Sequence, residues 1–175
     1  MNKTVYLLFT QFLLLYGEFM LGSAGVALPL AELGALHTVL AFGRNWGISA
    51  ALLNGMILSA LYGGYWNLLY IVINPLLAWL LSWWIENHDE HISADFWQPG
   101  AAAGLASALP AAAGLIFLWG QSGSYPVELH YLLLRAVWCA AVSSGAFVLT
   151  VLLGEGLTEF LGLPRFLTRK AGQKR

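Results

Sequence analysis

Four ionisable side chains lie in stretches apolar enough to enter a bilayer: Glu18, Glu32, His37 and Arg135. Inside hydrocarbon each is expensive unless it is paired, hydrated or able to reach the interface, so such residues point to function by default. Glu18 and Arg135 read as groups near the interfaces whose long side chains snorkel to the headgroups. Glu32 and His37 are five residues apart, a rotation of about 140° on a regular helix, so they do not pair directly. Each must meet a neighbouring span or a water-filled cavity. For Glu32, a polar cavity and a partner contact both remain open.

Other chemistry is poorly supplied. His88-Asp89-Glu90-His91 is the one run with metal-ligand types, and its histidines are three apart, on one helical face. In a short polar loop it reads better as a solvated charge run than as a metal site. Haem between helices needs histidines at depth on facing spans, and only His37 qualifies, with His130 at a span edge. Ser143-Ser144 have no buried base nearby in sequence, and no GxSxG, HExxH or P-loop pattern occurs. Asp89 and Asp95 share one loop, which argues against an intramembrane aspartyl dyad. The expectation is a non-enzyme with no cofactor and no resident metal.

The elements that must position these residues follow from the charges. The chain has 175 residues, 59% hydrophobic and 10% charged, with eight Lys/Arg against nine Asp/Glu. Its mean hydropathy is +0.70. An ordinary soluble domain carries roughly 25% charged residues. That shortage excludes a disordered chain or a nucleic-acid binder, and the single cysteine, Cys139, excludes a disulfide scaffold. Between Arg44 and Glu86 lie 41 residues without a formal charge; 32 more separate Asp95 from Glu128, and 19 separate Arg135 from Glu155. A span of a ~30 Å hydrocarbon core takes about 20 apolar residues. The 41-residue run therefore holds two spans, with Tyr62-Gly63-Gly64-Tyr65-Trp66-Asn67 turning between them at the headgroup level.

The reading is an all-α, polytopic integral membrane protein with about six transmembrane helices near 4–21, 24–42, 47–64, 67–85, 100–120 and 130–153. Gly22-Ser23-Ala24 could mimic a signal cleavage site, but more spans follow at once, so 4–21 reads as an uncleaved first span. The segment 24–42, holding Pro29, Glu32 and His37, is the weakest, and without it five spans remain. Six spans place both termini in the cytoplasm, where Lys3, Arg44, Arg165, Arg169, Lys170, Lys174 and Arg175 satisfy the positive-inside rule, leaving only Arg135 outside. The organisation is one helical domain over 1–155 and a basic tail over 156–175, cytoplasmic or interfacial. Its Leu157, Phe160, Leu161, Leu163, Phe166 and Leu167 fit either an anionic lipid surface or an ordinary positive flank.

Packing signals are plain in the later spans. Gly100, Gly104, Ala108 and Ala112 recur every four residues, as do Ala136, Ala140 and Ser144, and also Ala141 and Gly145. Such faces let helix backbones approach closely, within the protein or against a partner's helices. Pro75 and Pro110 should kink their helices.

Leu28-Pro29-Leu30-Ala31-Glu32-Leu33 and the run from Gly47 through Gly55 and Gly64 to Asn67 resemble the MreD family, small inner-membrane proteins of the bacterial rod-shape machinery. The similarity covers about residues 25–85. Gly55 and Gly64 match the family pattern, whereas its acidic position reads Ser59 or Ala60 here. The resemblance implies a non-enzymatic scaffold in the bacterial inner membrane, active in cell elongation and peptidoglycan synthesis. Its implied partners are an MreC-like periplasmic protein and wall-synthesis membrane enzymes. It also implies a fold similar to the substrate-binding subunits of energy-coupling-factor vitamin transporters. That gives a second reading, a small-molecule-binding subunit with a pocket at the outer face near Trp66, Asn67, Tyr125 and Glu128.

Overall fold

The computed structural model describes residues 3–26, 28–62, 65–87, 97–122 and 129–163. Among these the chain is all-helical: α1 (Lys3–Ser23), α2 (Leu30–Phe42), α3 (Arg44–Tyr62), a 3-10 turn (Tyr65–Leu69), α4 (Tyr70–Asn87), α5 (Trp97–Ser107), α6 (Leu109–Ser122) and α7 (Leu129–Phe160). Three stretches, Lys3–Ser23, Asn67–Asn87 and His130–Phe160, are long and apolar enough to cross a membrane. Leu30–Phe42 is apolar but shorter.

The segment that reads weakest in sequence is the centre of the molecule. Every residue of α2 from Ala31 to Ala41 is buried, and the helix packs on α1, α3, α4, α5 and α7. Leu33, Leu36 and Leu40 join Ala51, Ala78, Leu81, Ala103, Phe147 and Val151 in one continuous core. Thirteen residues make a helix about 20 Å long, short of a ~30 Å hydrocarbon core. Because protein rather than lipid surrounds it, its ends and polar side chains can be satisfied by neighbouring helices.

α2 starts at Leu30, not near 24, for a local reason. α1 closes in a Schellman motif: Gly25 takes φ +81°, its N–H donates to the Gly22 carbonyl at 3.0 Å, and the Val26 N–H donates to the Leu21 carbonyl at 2.9 Å. Pro29 then holds the N-cap position of α2.

The expected 100–120 span is two helices. α5 ends at Ser107, Ala108 lies in a turn, and α6 begins at Leu109. Pro110 has no N–H and its ring would collide with the carbonyl of Ala106 in a straight helix, which favours an interruption here. The Ala108 N–H instead bonds the Leu105 carbonyl at 3.1 Å, and its own carbonyl takes the first bond of the new helix, from Ala112 at 3.0 Å. Pro75, by contrast, is held inside an unbroken α4.

α7 also departs from expectation. It does not stop near 153 but runs 32 residues to Phe160, so the helical body extends past the expected boundary at 155. Nothing breaks it before Gly162, which takes φ +65° in a second Schellman turn, the Leu163 N–H reaching the Thr158 carbonyl at 2.8 Å. The basic tail from 164, the His88–His91 run, Tyr125, Glu128 and Gly64 lie outside the described residues, as does the side chain of Trp66.

Candidate functional site

Polar side chains from α1 and α3 meet those of α2. Gln11 of α1 donates from Nε2 to Thr38 Oγ1 at 3.1 Å, and the Thr38 hydroxyl donates in turn to the Gly34 carbonyl at 2.9 Å. Asn54 of α3 donates from Nδ2 to Gln11 Oε1 at 2.9 Å and to the Ala31 carbonyl at 2.8 Å. Gln11, Thr38 and Asn54 are all buried. None stands out in the sequence, because neutral amides leave charge counts and hydropathy almost unchanged. The one signal is that Gln or Asn at membrane depth usually bonds across helices.

Glu18 is not a snorkelling residue. It is 7% exposed, and its Oε2 accepts the Ala31 N–H at 2.9 Å. The first N–H groups of a helix have no partner within it, and the positive end of the helix dipole favours an anion there. Pro29 offers no side-chain cap, so α1 supplies it from a neighbouring helix.

Glu32 lies one residue beyond Ala31, in the first turn of α2. It is 3% exposed, and neither oxygen has a hydrogen-bond partner among the described residues. It borders a void of about 10 Å³ together with Glu18, Tyr70, Asn74 and Ser107. Asn74 is 4% exposed, and its Nδ2 also has no partner among the described residues. The Tyr70 hydroxyl donates to the Ser107 carbonyl at 3.3 Å, tying α4 to the end of α5.

Past Glu18 this void adjoins a larger cavity of about 440 Å³ at one end of the bundle. Glu18, Pro29, Tyr70 and Ser107 line both. The large cavity is walled by the C-terminal ends of α1 and α3, the N-terminal end of α2, the α5–α6 junction and the first part of α7. Its lining includes Tyr62, Asn67, Ala108, Arg135 and Cys139.

The other sequence candidates fall elsewhere. His37 turns away from Glu32, as the spacing implies, and packs on Gly154 of α7, where any side chain would collide with the imidazole. At Gly55 a Cβ would come within 2.5 Å of the Tyr70 carbonyl oxygen, so α3 meets the start of α4 backbone to backbone. Gly100 and Gly104 form the α5 face that docks on α7: a Cβ on Gly100 would come within 2.8 Å of Ser144 Cα, and one on Gly104 within 2.7 Å of Ala140 Cα. The stripe ends there, because Ala108 sits at the break and lines the cavity. On α7 the Ala140–Ser144 face is the one used; a Cβ at Gly145 would meet nothing within 4 Å.

Among the described residues no three His, Cys, Asp or Glu side chains gather as a metal cluster. The geometry offers a seam that locks three helices, a buried acid pair at the N-terminus of α2, and a cavity leading to it. Comparison with protein families, with characterised proteins and with solved structures finds no match to this chain.

Proposed function

We propose that the chain is a non-enzymatic, multi-pass scaffold subunit of the bacterial cell-elongation machinery, docking the membrane helices of an MreC-like protein and of wall-synthesis enzymes. The observation that carries this reading is the placement of the segment that bears the family resemblance. Leu28–Leu33 opens the buried central helix, and Gly55 stands where α3 and α4 meet backbone to backbone. The matching positions thus act as packing positions, which is what a scaffold asks of them. On this reading α5 and α6 together make one crossing, six crossings leave both termini in the cytoplasm of a bacterial inner membrane, and the cavity opens outward.

Mild-detergent purification of the tagged chain from its native host, with mass spectrometry, tests the reading. Co-recovery of a periplasmic coiled-coil protein and wall synthases is expected. Recovery of a transporter ATPase pair without wall proteins would sink it. Reporter fusions after Gly64 and after Arg175 should read outside and inside respectively, and the same side for both refutes six crossings.

The end cavity specifically favours a second reading, a small-molecule-binding subunit of a vitamin-type transporter. Its volume of about 440 Å³ falls within the ~300–1,000 Å³ usual for ligand sites. Its orientation is open to direct measurement, because Cys139 is the only cysteine. In a Cys139→Ser background, Asn67→Cys should react with a membrane-impermeant maleimide on intact spheroplasts. Reaction only after permeabilisation would put the cavity on the cytoplasmic side.

A further inference from the structure

We infer that the void between Glu18, Glu32 and Asn74 is a binding site for one small monovalent cation of sodium size, reached through the end cavity. The inference is independent of whether the chain is a scaffold or a ligand-binding subunit.

Three observations meet at this point. Glu32 is 3% exposed with both oxygens unpartnered among the described residues, and a buried carboxyl group either takes up a proton or meets a compensating charge. Glu18 borders the same void with one oxygen committed to the Ala31 N–H. Asn74, on a different helix, borders it with an unpartnered amide nitrogen and 4% exposure. A half-turn of that amide would present Oδ1 to the void, since the two ends are interchangeable in shape.

Charge and size then select the occupant. Among the described residues no Lys, Arg or His borders the void; Arg135 lines the large cavity instead. The positive end of α2 offers about half a charge, less than two ionised carboxylates would require. The volume of about 10 Å³ holds roughly one water-sized particle, which excludes hydrated ions and organic ammonium groups. The donors are carboxylate, amide and hydroxyl oxygens, the set that suits hard cations rather than thiolate- or imidazole-loving metals. Glu18 already has the Ala31 N–H and the positive end of α2 against it, so the charge left to compensate is mainly that of Glu32, which favours a monovalent ion over calcium.

The test uses the full chain in nanodiscs, with thermal unfolding followed by tryptophan fluorescence. Sodium chloride is titrated against choline chloride at constant ionic strength. A cation that binds the folded state alone raises Tm saturably with its concentration. The expected result is a sodium-dependent, saturable rise with no response to choline, matched by stoichiometric binding of radioactive sodium. Glu32→Gln should lose both responses. An unaltered sodium response in Glu32→Gln overturns the assignment. Should that variant fail to fold, the native chain still decides: no sodium-dependent shift, or a Glu32 carboxylic-acid infrared band indifferent to sodium, overturns it equally.

Discussion

Replacing Gly104 by leucine should force α5 away from α7 and cost about 3 kcal/mol of folding stability. The added Cβ would stand 2.5 Å from the Cys139 carbonyl oxygen and 2.7 Å from Ala140 Cα. Both are backbone atoms of a continuous helix, so neither can turn aside as a side chain would. Overpacking costs ~1–3 kcal/mol where neighbours can adjust, and the upper end applies where they cannot. Gly145→Leu on α7 is the matched control: no neighbour lies within 4 Å there, and the expected loss is within about 0.5 kcal/mol. Reversible denaturation in mixed micelles measures both. Equal losses would mean that the α5–α7 face is not the one described.

Asn54→Leu should be the second large effect, about 2 kcal/mol. Asn54 is fully buried, and its amide alone bonds both Gln11 Oε1 and the Ala31 carbonyl. Leucine fills a similar volume, so the loss comes mainly from stranding Gln11 Oε1 rather than from a cavity, while the Ala31 carbonyl keeps its bond within α2. Hydrogen bonds between membrane helices average only ~0.6 kcal/mol in measured cases. The larger figure is expected here because protein encloses Gln11, leaving its stranded oxygen away from water. A cycle with Gln11→Leu should show coupling of about 1 kcal/mol. Additive single losses would remove the seam as a cooperative unit.

Much of this arrangement is legible in the chain. Charge-free runs locate the helices because lipid-compatible segments are defined by what they lack. The Gly100/Gly104 repeat marks the α5 docking face, since only small residues permit that approach. The Glu32–His37 spacing separates their environments, as the structure bears out. What escapes the sequence is whatever depends on enclosure. Hydropathy ranks α2 by its own residues and marks it down for Pro29 and Glu32, yet its place is set by five helices around it. Glu18 caps a helix 13 residues away, across a turn whose geometry depends on Gly25. Pro110 reads in sequence as a kink, whereas α5 ends at Ser107 and a new helix begins at Leu109.

The central position of α2 also bears on how the protein is made. A 13-residue helix with a carboxylate in its first turn is a poor candidate for release alone from a translocon into lipid. Only Gly43 separates it from α3, and the two pack so closely that a Cβ on Gly47 would come within 2.9 Å of the Val39 backbone. They are suited to enter as a preassembled hairpin. The remaining walls of α2, α5 and α7 among them, are synthesised much later. Chains truncated after α3 should therefore hold α2 in an exposed, chaperone-dependent state, and membrane integration should mature only once α7 has left the ribosome.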